Sequence, residues 1–317
     1  MAAEETQPAF ASAVRGQSLW SQSLRRLLRK KVGVVCLAVI LVMYIAGIFA
    51  AWVTPYDYKK QDYTALKEPP SLSHPFGTDR VGRDMLTRVI YGLRTTVIIT
   101  VTAMVTGGLF LGIGLGLLSG YFGKLIDSVI MRVGEIFLAF PDILLVLLIA
   151  ATLRPRVVDW VRDLGGTDLV RLGVPDYLVV FGALAAFSWV GMARLVRGQV
   201  LYLKQSQFVE AAQATGASTP RILTFHVLPN IISPVIVLVS MGMGQAAGAE
   251  IILSWLGIGI QPPTPSLGLM IFTNGNIAVL RSDPHLLLFP VGAITILIFA
   301  FNLLGDALND AFNPKSR

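Results

Sequence analysis

The feature that most constrains this chain is a set of long apolar runs without charge. Val32–Val53, Thr95–Ser119, Tyr177–Ala193, Ile231–Ala249 and Leu286–Gly305 contain no Asp, Glu, Lys or Arg. A further run, Val133–Leu153, is interrupted only by Glu135, Pro141 and Asp142. About 20 helical residues cross a hydrocarbon layer of about 30 Å. Backbone groups in lipid must be satisfied internally, which leaves helices or a closed barrel. Barrel strands alternate apolar and polar residues, and these runs are continuous, so six transmembrane helices are expected in an all-α integral membrane protein. Charged residues make up 14% of the chain and apolar ones 54%, with a mean hydropathy of +0.67. That composition excludes a disordered chain, a collagen-like chain and an ordinary soluble enzyme, whose charged fraction is about 25%. Cys36 is the only cysteine, which excludes an internal disulfide and a multi-cysteine metal site.

The first run is far longer than the about 7–15 apolar residues of a signal peptide and reads as a retained anchor. Ahead of it, Trp20, Leu24, Leu27, Leu28 and Lys31 share one helical face, with Arg25, Arg26, Arg29 and Lys30 around the rest. That pattern fits a short helix in the headgroup plane, or else a basic tail without structure. Six basic residues from Arg15 to Lys31 precede the first span with no acid after Glu5, whereas Lys59, Lys60 and Lys67 beyond it are balanced by Asp57, Asp62 and Glu68. The positive-inside rule then places the N-terminus in the cytoplasm. Counting through six spans also places there the C-terminus and the segment Arg194–Asn230, which carries Arg194, Arg197, Lys204 and Arg221 against Glu210 alone. The net charge of +7 therefore marks a membrane face, and with no basic run interleaved with aromatics it does not describe a nucleic-acid patch. The resulting organisation is a tail and interfacial helix over 1–31 and a first span over 32–53. An extracytoplasmic loop covers 54–94 and a five-helix core 95–305, with a cytoplasmic loop at 198–230 and a tail over 306–317.

Within the spans, Gly108, Gly112, Gly116 and Gly120 recur every fourth residue and make a ridge that another helix can approach closely, as do Gly244 and Gly248. Glu250, near the outer end of the fifth span, is either a substrate contact or a structural group pairing at the interface. Glu135 and Asp142 are expected near the cytoplasmic end of the third span, within reach of water. Ser240, Gln245 and Asn302 are the remaining candidates for lining a pathway.

The cytoplasmic loop reads as two short helices with a break. Phe208–Ala214 are good helix formers, Gly216 can end that helix in the left-handed region, and Ser218 or Thr219 can cap a second helix with Pro220 in its first turn and Pro229 at its end. A protruding helix pair with a small alanine face suits docking into a partner's groove.

At this point the residues carry a resemblance. Glu210-Ala211-Ala212, Gly216 and Leu228-Pro229 resemble the loop by which bacterial ABC importer permeases meet their ATPase subunits. The ending from His226 to Asn230 is similar to that of the dipeptide/oligopeptide/nickel branch. Three further stretches agree with that branch: His74 to Asp79 with Gly82-Arg83-Asp84, Leu253 to Ser266, and Phe301 to Asp306. Leu267 stands where tryptophan is common, and the loop Arg154–Asp176 looks longer than usual, with helical content expected around Val157–Leu164.

The resemblance, over residues 20–317, implies a type I ABC importer permease in a bacterial inner membrane. It also implies a second homologous permease, two ATPase subunits and an extracytoplasmic binding protein as partners, with peptide as substrate. Nickel chelates or other small solutes are the alternative within the family. Glu210, Ala211, Ala212, Gly216, Arg221, Leu228 and Pro229 are then the ATPase-coupling residues. The chain has no Gly-x-x-x-x-Gly-Lys-[Ser/Thr] phosphate loop, so ATP and magnesium would be held by the partners and no cofactor or metal by this chain. The three histidines are far apart, and no serine in a span has a histidine or lysine base beside it, so a catalytic or metal site is not expected. The reading from another class is an ion-driven secondary transporter or channel. It would require ionisable residues at the midplane and repeated broken helices, and no such relay is evident in the sequence.

Overall fold

The computed structural model describes residues 25–312. The tail over 1–24, most of the expected interfacial helix, and 313–317 lie outside the described residues. Among the described residues all regular structure is helical apart from one bridge between Thr78 and Asp84. Five helices are long and apolar enough to cross a membrane, and a bent pair brings the number to six if it counts as one span.

Helix α1 (Lys31–Ile48) leads through a short helical turn into a loop over 54–84. Helix α2 (Met85–Ala103) continues without a break through a π-helical stretch, Met104–Ile113, into α3 (Gly114–Phe122). This span begins at Met85, ahead of the apolar run that starts at Thr95. Asp84 makes the early start possible: one carboxylate oxygen accepts the Thr87 amide at 2.7 Å as an N-cap, and the other meets His74 Nδ1 at 2.9 Å. Arg88, on the first turns, is buried beside Asp79, which also binds Arg83 at 2.7 Å.

The third run is broken. Helix α4 (Lys124–Leu138) and helix α5 (Asp142–Asp163) meet at 89°. Pro141 supplies no amide and biases the residue ahead of it away from the helical region, so the chain turns there. Helix α5 then continues through Pro155 to Asp163, followed by a single turn at Thr167–Arg171. The segment expected as a long loop from Arg154 to Asp176 is thus mostly helix, including the stretch around Val157–Leu164. Arg154 and Asp176 pair at 2.8 Å across its two ends.

Helix α6 (Val174–Leu203) runs the length of the bundle and is followed by α7 (Gln207–Ala214). A helical turn at Thr219–Arg221 and a π-helical stretch at Ile222–Val227 flow directly into α8 (Leu228–Trp255). The whole of Thr219–Trp255 is one span of 37 residues. Pro229 therefore does not end a helix, as expected from sequence. It sits in the first turn after the π stretch, where the ladder is already shifted, and the Asn230 side-chain amide donates to the His226 carbonyl at 2.7 Å. Helices α9 (Leu267–Asn274) and α10 (Ile277–Ser282) lead to the last span, α11 (His285–Phe312).

The glycine ridge packs α3 and the π stretch on α6, with one change of register. A Cβ at Gly112, Gly116 or Gly120 would lie 2.5, 2.7 or 2.6 Å from the Cβ atoms of Met192, Val196 and Val200. Gly108 instead faces its own Met104, and Gly107 takes its place against Ala185 and Ser188. The i→i+5 bonding of the π stretch accounts for this, because a spacing of five residues, 107 to 112, there does what four does in an α-helix.

At the end of the bundle that carries the 54–84 loop, Thr78 is buried and its hydroxyl donates to Ala65 O at 2.6 Å. Phe76 stacks on Phe289 with centroids 3.9 Å apart, and Lys67 pairs with Asp283 at 2.8 Å, so the loop is fastened to the start of α11. The Lys67 hydrogen bond holds the Asp283 carboxyl below the usual carboxylate range, with Ser282 adding a second donor.

Candidate functional site

Two regions collect most of the candidate side chains. The first is the helix pair at the end of the bundle opposite the 54–84 loop. Ser206 is extended and starts α7; the helix ends in a Schellman turn in which Ala217 N donates to Ala212 O at 3.0 Å and Gly216 N to Gln213 O at 2.9 Å. Gly216 takes φ +80° with open space around its Cα, so glycine is required by the backbone and not by crowding. Val209 and Ala212 point inward and join a core with Val196, Val200, Ile222 and Val227. Lys204 donates to Gly120 O at 3.3 Å, which ties the start of the pair to α3.

The opposite face of the pair is open. Glu210, Ala211, Gly216, Arg221 and Pro229 are exposed, and Leu228 is half-buried. Phe208, Ala211, Gly216, Arg221 and His226 line a shallow groove, with Phe225 74% exposed beside it. A shallow, mostly apolar groove flanked by one acid and one base has the composition of surfaces that bind protein partners. Phe208 and Phe225 were not among the sequence candidates; Phe208 lies in α7 beside Glu210-Ala211-Ala212, which was an available signal, whereas Phe225 lies in the separate π-helical stretch and had none.

The second region is a cleft of about 250 Å³ between α6, α8 and the junction of α2 with the π stretch. Phe187, Ser188, Gln245, Met104 and Asp142 are among its lining groups. Of the four polar candidates, only Gln245 reaches this cleft. Ser240 is buried, and its hydroxyl donates to Phe301 O at 3.1 Å, joining α8 to α11. Asn302 is exposed on α11 and donates back to Ile298 O at 2.9 Å. Glu250 is fully buried and accepts hydroxyl protons from Ser254 at 2.9 Å, Ser266 at 3.0 Å and Thr96 at 3.3 Å. It thereby knots α8, α2 and the N-cap residue of α9 together.

Asp142 is where the structure departs furthest from expectation. Helix α4 does not stay at one end of the bundle. From Asp127, which binds Ser119 and Arg197, it climbs alongside α6 until Phe137 meets Phe187 at 5.4 Å and Gly134 lies under Val190. The break at Pro141 follows there, halfway along α6, and puts the Asp142 carboxylate on the cleft instead of at the end of a span.

The chain is similar to known proteins over most of its length. Residues 112–317 match the family model described as binding-protein-dependent transport system inner membrane component. Residues 18–70 match the N-terminal TM domain of oligopeptide transport permease C. A dipeptide transport system permease protein of Alkalihalophilus pseudofirmus is 34% identical over 317 residues, all of this chain and 97% of the relative. An oligopeptide transport system permease protein of Bacillus subtilis is 34% identical over 300 residues, covering 95% of this chain and 91% of the relative. A glutathione transport system permease protein of Escherichia coli is 37% identical over 297 residues, covering 93% and 90%.

Proposed function

The chain belongs to the family of binding-protein-dependent transport system inner membrane components, multi-pass membrane proteins, and from that premise we propose that it is one permease half of an ATP-driven peptide importer. Its relatives carry the names of dipeptide, oligopeptide and glutathione transport permeases, which favours peptides over nickel chelates or other small solutes. In this reading the α4–α5 pair is one span, giving six, and both termini are cytoplasmic, in line with the basic residues before α1. A second permease of similar fold closes the cleft from the side, and a binding protein delivers substrate to the end that carries the 54–84 loop. Two ATPase subunits bind ATP and magnesium and perform the hydrolysis; this chain is not catalytic.

The observation that carries the proposal is mechanical. The segment at 198–230 presents an exposed face of Glu210, Ala211, Gly216 and Arg221, with Ala212 buried beneath them, and Leu228-Pro229 continues it into α8 with no hinge between. The pair sits in a cleft of an ATPase subunit, Ala211 and Gly216 permitting close approach while Glu210 and Arg221 orient it. Closure of the ATPases pushes the pair, and α8 moves with it as a body that reaches Gln245 on the cleft and Glu250 beyond.

The test is peptide uptake and ATP hydrolysis by the complete transporter. Gly216→Trp places bulk on the contact face and strains a positive-φ site, and Glu210→Lys reverses a docking charge. Both should abolish uptake while ATP hydrolysis persists or falls independently of peptide. Wild-type uptake in both variants refutes the proposal.

A further inference from the structure

The cleft holds one charged side chain, Asp142, among groups that are otherwise apolar or neutral. Its depth follows from the helices. Ser188 lies at the middle of Val174–Leu203, Leu238 next to the middle of Thr219–Trp255, and Met104 near the middle of Met85–Phe122; all three line the cleft with Asp142. The carboxylate therefore stands at mid-height of a bundle whose spans cross the membrane. Among the described residues it has no cationic partner. One oxygen accepts the Ile143 amide at 2.8 Å, as an acid in the first turn of a helix does, and the other has no protein donor. An acid kept at this depth without a counter-charge is expensive, and it is tolerated where it faces water or a passing solute.

We propose that Asp142 is a charge filter on the translocation pathway: it pairs with cationic side chains of passing peptides and disfavours anionic ones, while the Gln245 carboxamide offers the peptide backbone a donor and an acceptor across the cleft. A carboxylate meeting an ammonium makes a charge-assisted hydrogen bond, and the same carboxylate repels a glutamate side chain. The binding protein selects what is delivered; Asp142 acts on what then passes. This inference rests on the peptide-import reading above.

The experiment compares uptake of labelled Ala-Lys-Ala and Ala-Glu-Ala by cells carrying the complete transporter with its unaltered binding protein, so that any change in the ratio belongs to the permease. Asp142→Asn should lower the lysine-to-glutamate uptake ratio by about tenfold, the scale of one charged hydrogen bond, with uptake of the glutamate peptide rising outright. Damage to folding cannot produce such a rise. Asp142→Ser should shift the ratio the same way, and Asp142→Glu should hold it near wild type. An unchanged ratio in the Asn and Ser variants, in a wild-type background that imports both peptides, overturns the filter and leaves the import reading standing. A wild-type transporter that imports neither peptide overturns the import reading, and the filter with it.

Discussion

Replacing Gly116 by alanine tests the helix contact on which the cleft is built. The added Cβ would lie 2.7 Å from Val196 Cβ and 2.8 Å from Ala193 O. Neither neighbour can rotate aside, because one is a Cβ and the other a backbone carbonyl. Restoring an ordinary contact of about 3.5–4.0 Å requires α3 to move off α6 by about 1 Å. The same movement loosens the contacts at Gly112 and Gly120, whose own clearances are set by Met192 and Val200. Overpacking of this kind costs about 1–3 kcal/mol, and alanine returns about 0.5–1 kcal/mol through helix propensity, leaving a net destabilisation of about 0–2.5 kcal/mol, while the difference from a control that gains the same propensity keeps the full overpacking cost. Gly114→Ala is the control: it lies two residues away on the same helix, and its Cβ would meet nothing within 4 Å. That variant should be neutral or slightly stabilised. The assay is the apparent Tm of each purified variant in one detergent at one heating rate, since membrane proteins of this size unfold irreversibly and only matched rates compare. Gly116→Ala should melt below Gly114→Ala by about 2–6 °C. Equal Tm values for the two variants would refute the close-approach argument.

Two further outcomes follow from the polar contacts. Glu250→Ala strands the hydroxyls of Thr96, Ser254 and Ser266 and opens a void in a fully buried site, and should cost about 2–4 kcal/mol, whereas Glu250→Gln keeps volume and an acceptor and should cost about 1 kcal/mol; a thermal shift that is equal for both variants contradicts the knot. Asp283 has its folded pKa depressed by Lys67, so the pair's contribution is complete above the ordinary unfolded value of about 3.9 and is lost as the pH falls through the lower folded value. In Lys67→Met the pair is absent at every pH, so the segment near residues 276–284 should be more open to pepsin at the top of an acid titration and should lose less protection as the pH falls, and a wild-type profile would show that Lys67 is not the cause.

Much of the architecture was legible because lipid imposes a simple rule on the sequence. The uncharged runs at 32–53, 231–249 and 286–305 pointed to helices long and apolar enough to cross a membrane, and the Gly216 break was readable because only glycine takes φ +80° there without strain. The rest needed three dimensions. The start of the second span was hidden because Arg88 and Arg94 look like loop residues until Asp79 is seen beside Arg88. The register of the glycine ridge depended on a π-helical stretch, which has no composition of its own. Pro229 looked like a stop because a proline inside a helix removes a hydrogen bond, and only the local shift in the ladder makes it acceptable. Asp142 was assigned to a span end by distance along the chain. Its true depth is set by the climb of α4 against α6, a relation between elements far apart in sequence. Ser240 and Asn302 show the converse: both are polar residues inside spans, yet their hydrogen bonds are spent on backbone carbonyls of α11, and nothing in a linear pattern distinguishes that from a group offered to solute.

The unbroken helix from Thr219 to Trp255 has a consequence for how such a chain can vary. A helix advances about 100° per residue, so the angle between Arg221 on the exposed pair and Gln245 on the cleft is fixed by the number of residues between them. A single inserted or deleted residue anywhere between Pro229 and Gln245 would leave the pair facing as before and swing the cleft face about 100° toward a neighbour or into lipid. The residue count between the two ends is thus itself a determinant of whether a push at one end is felt at the other.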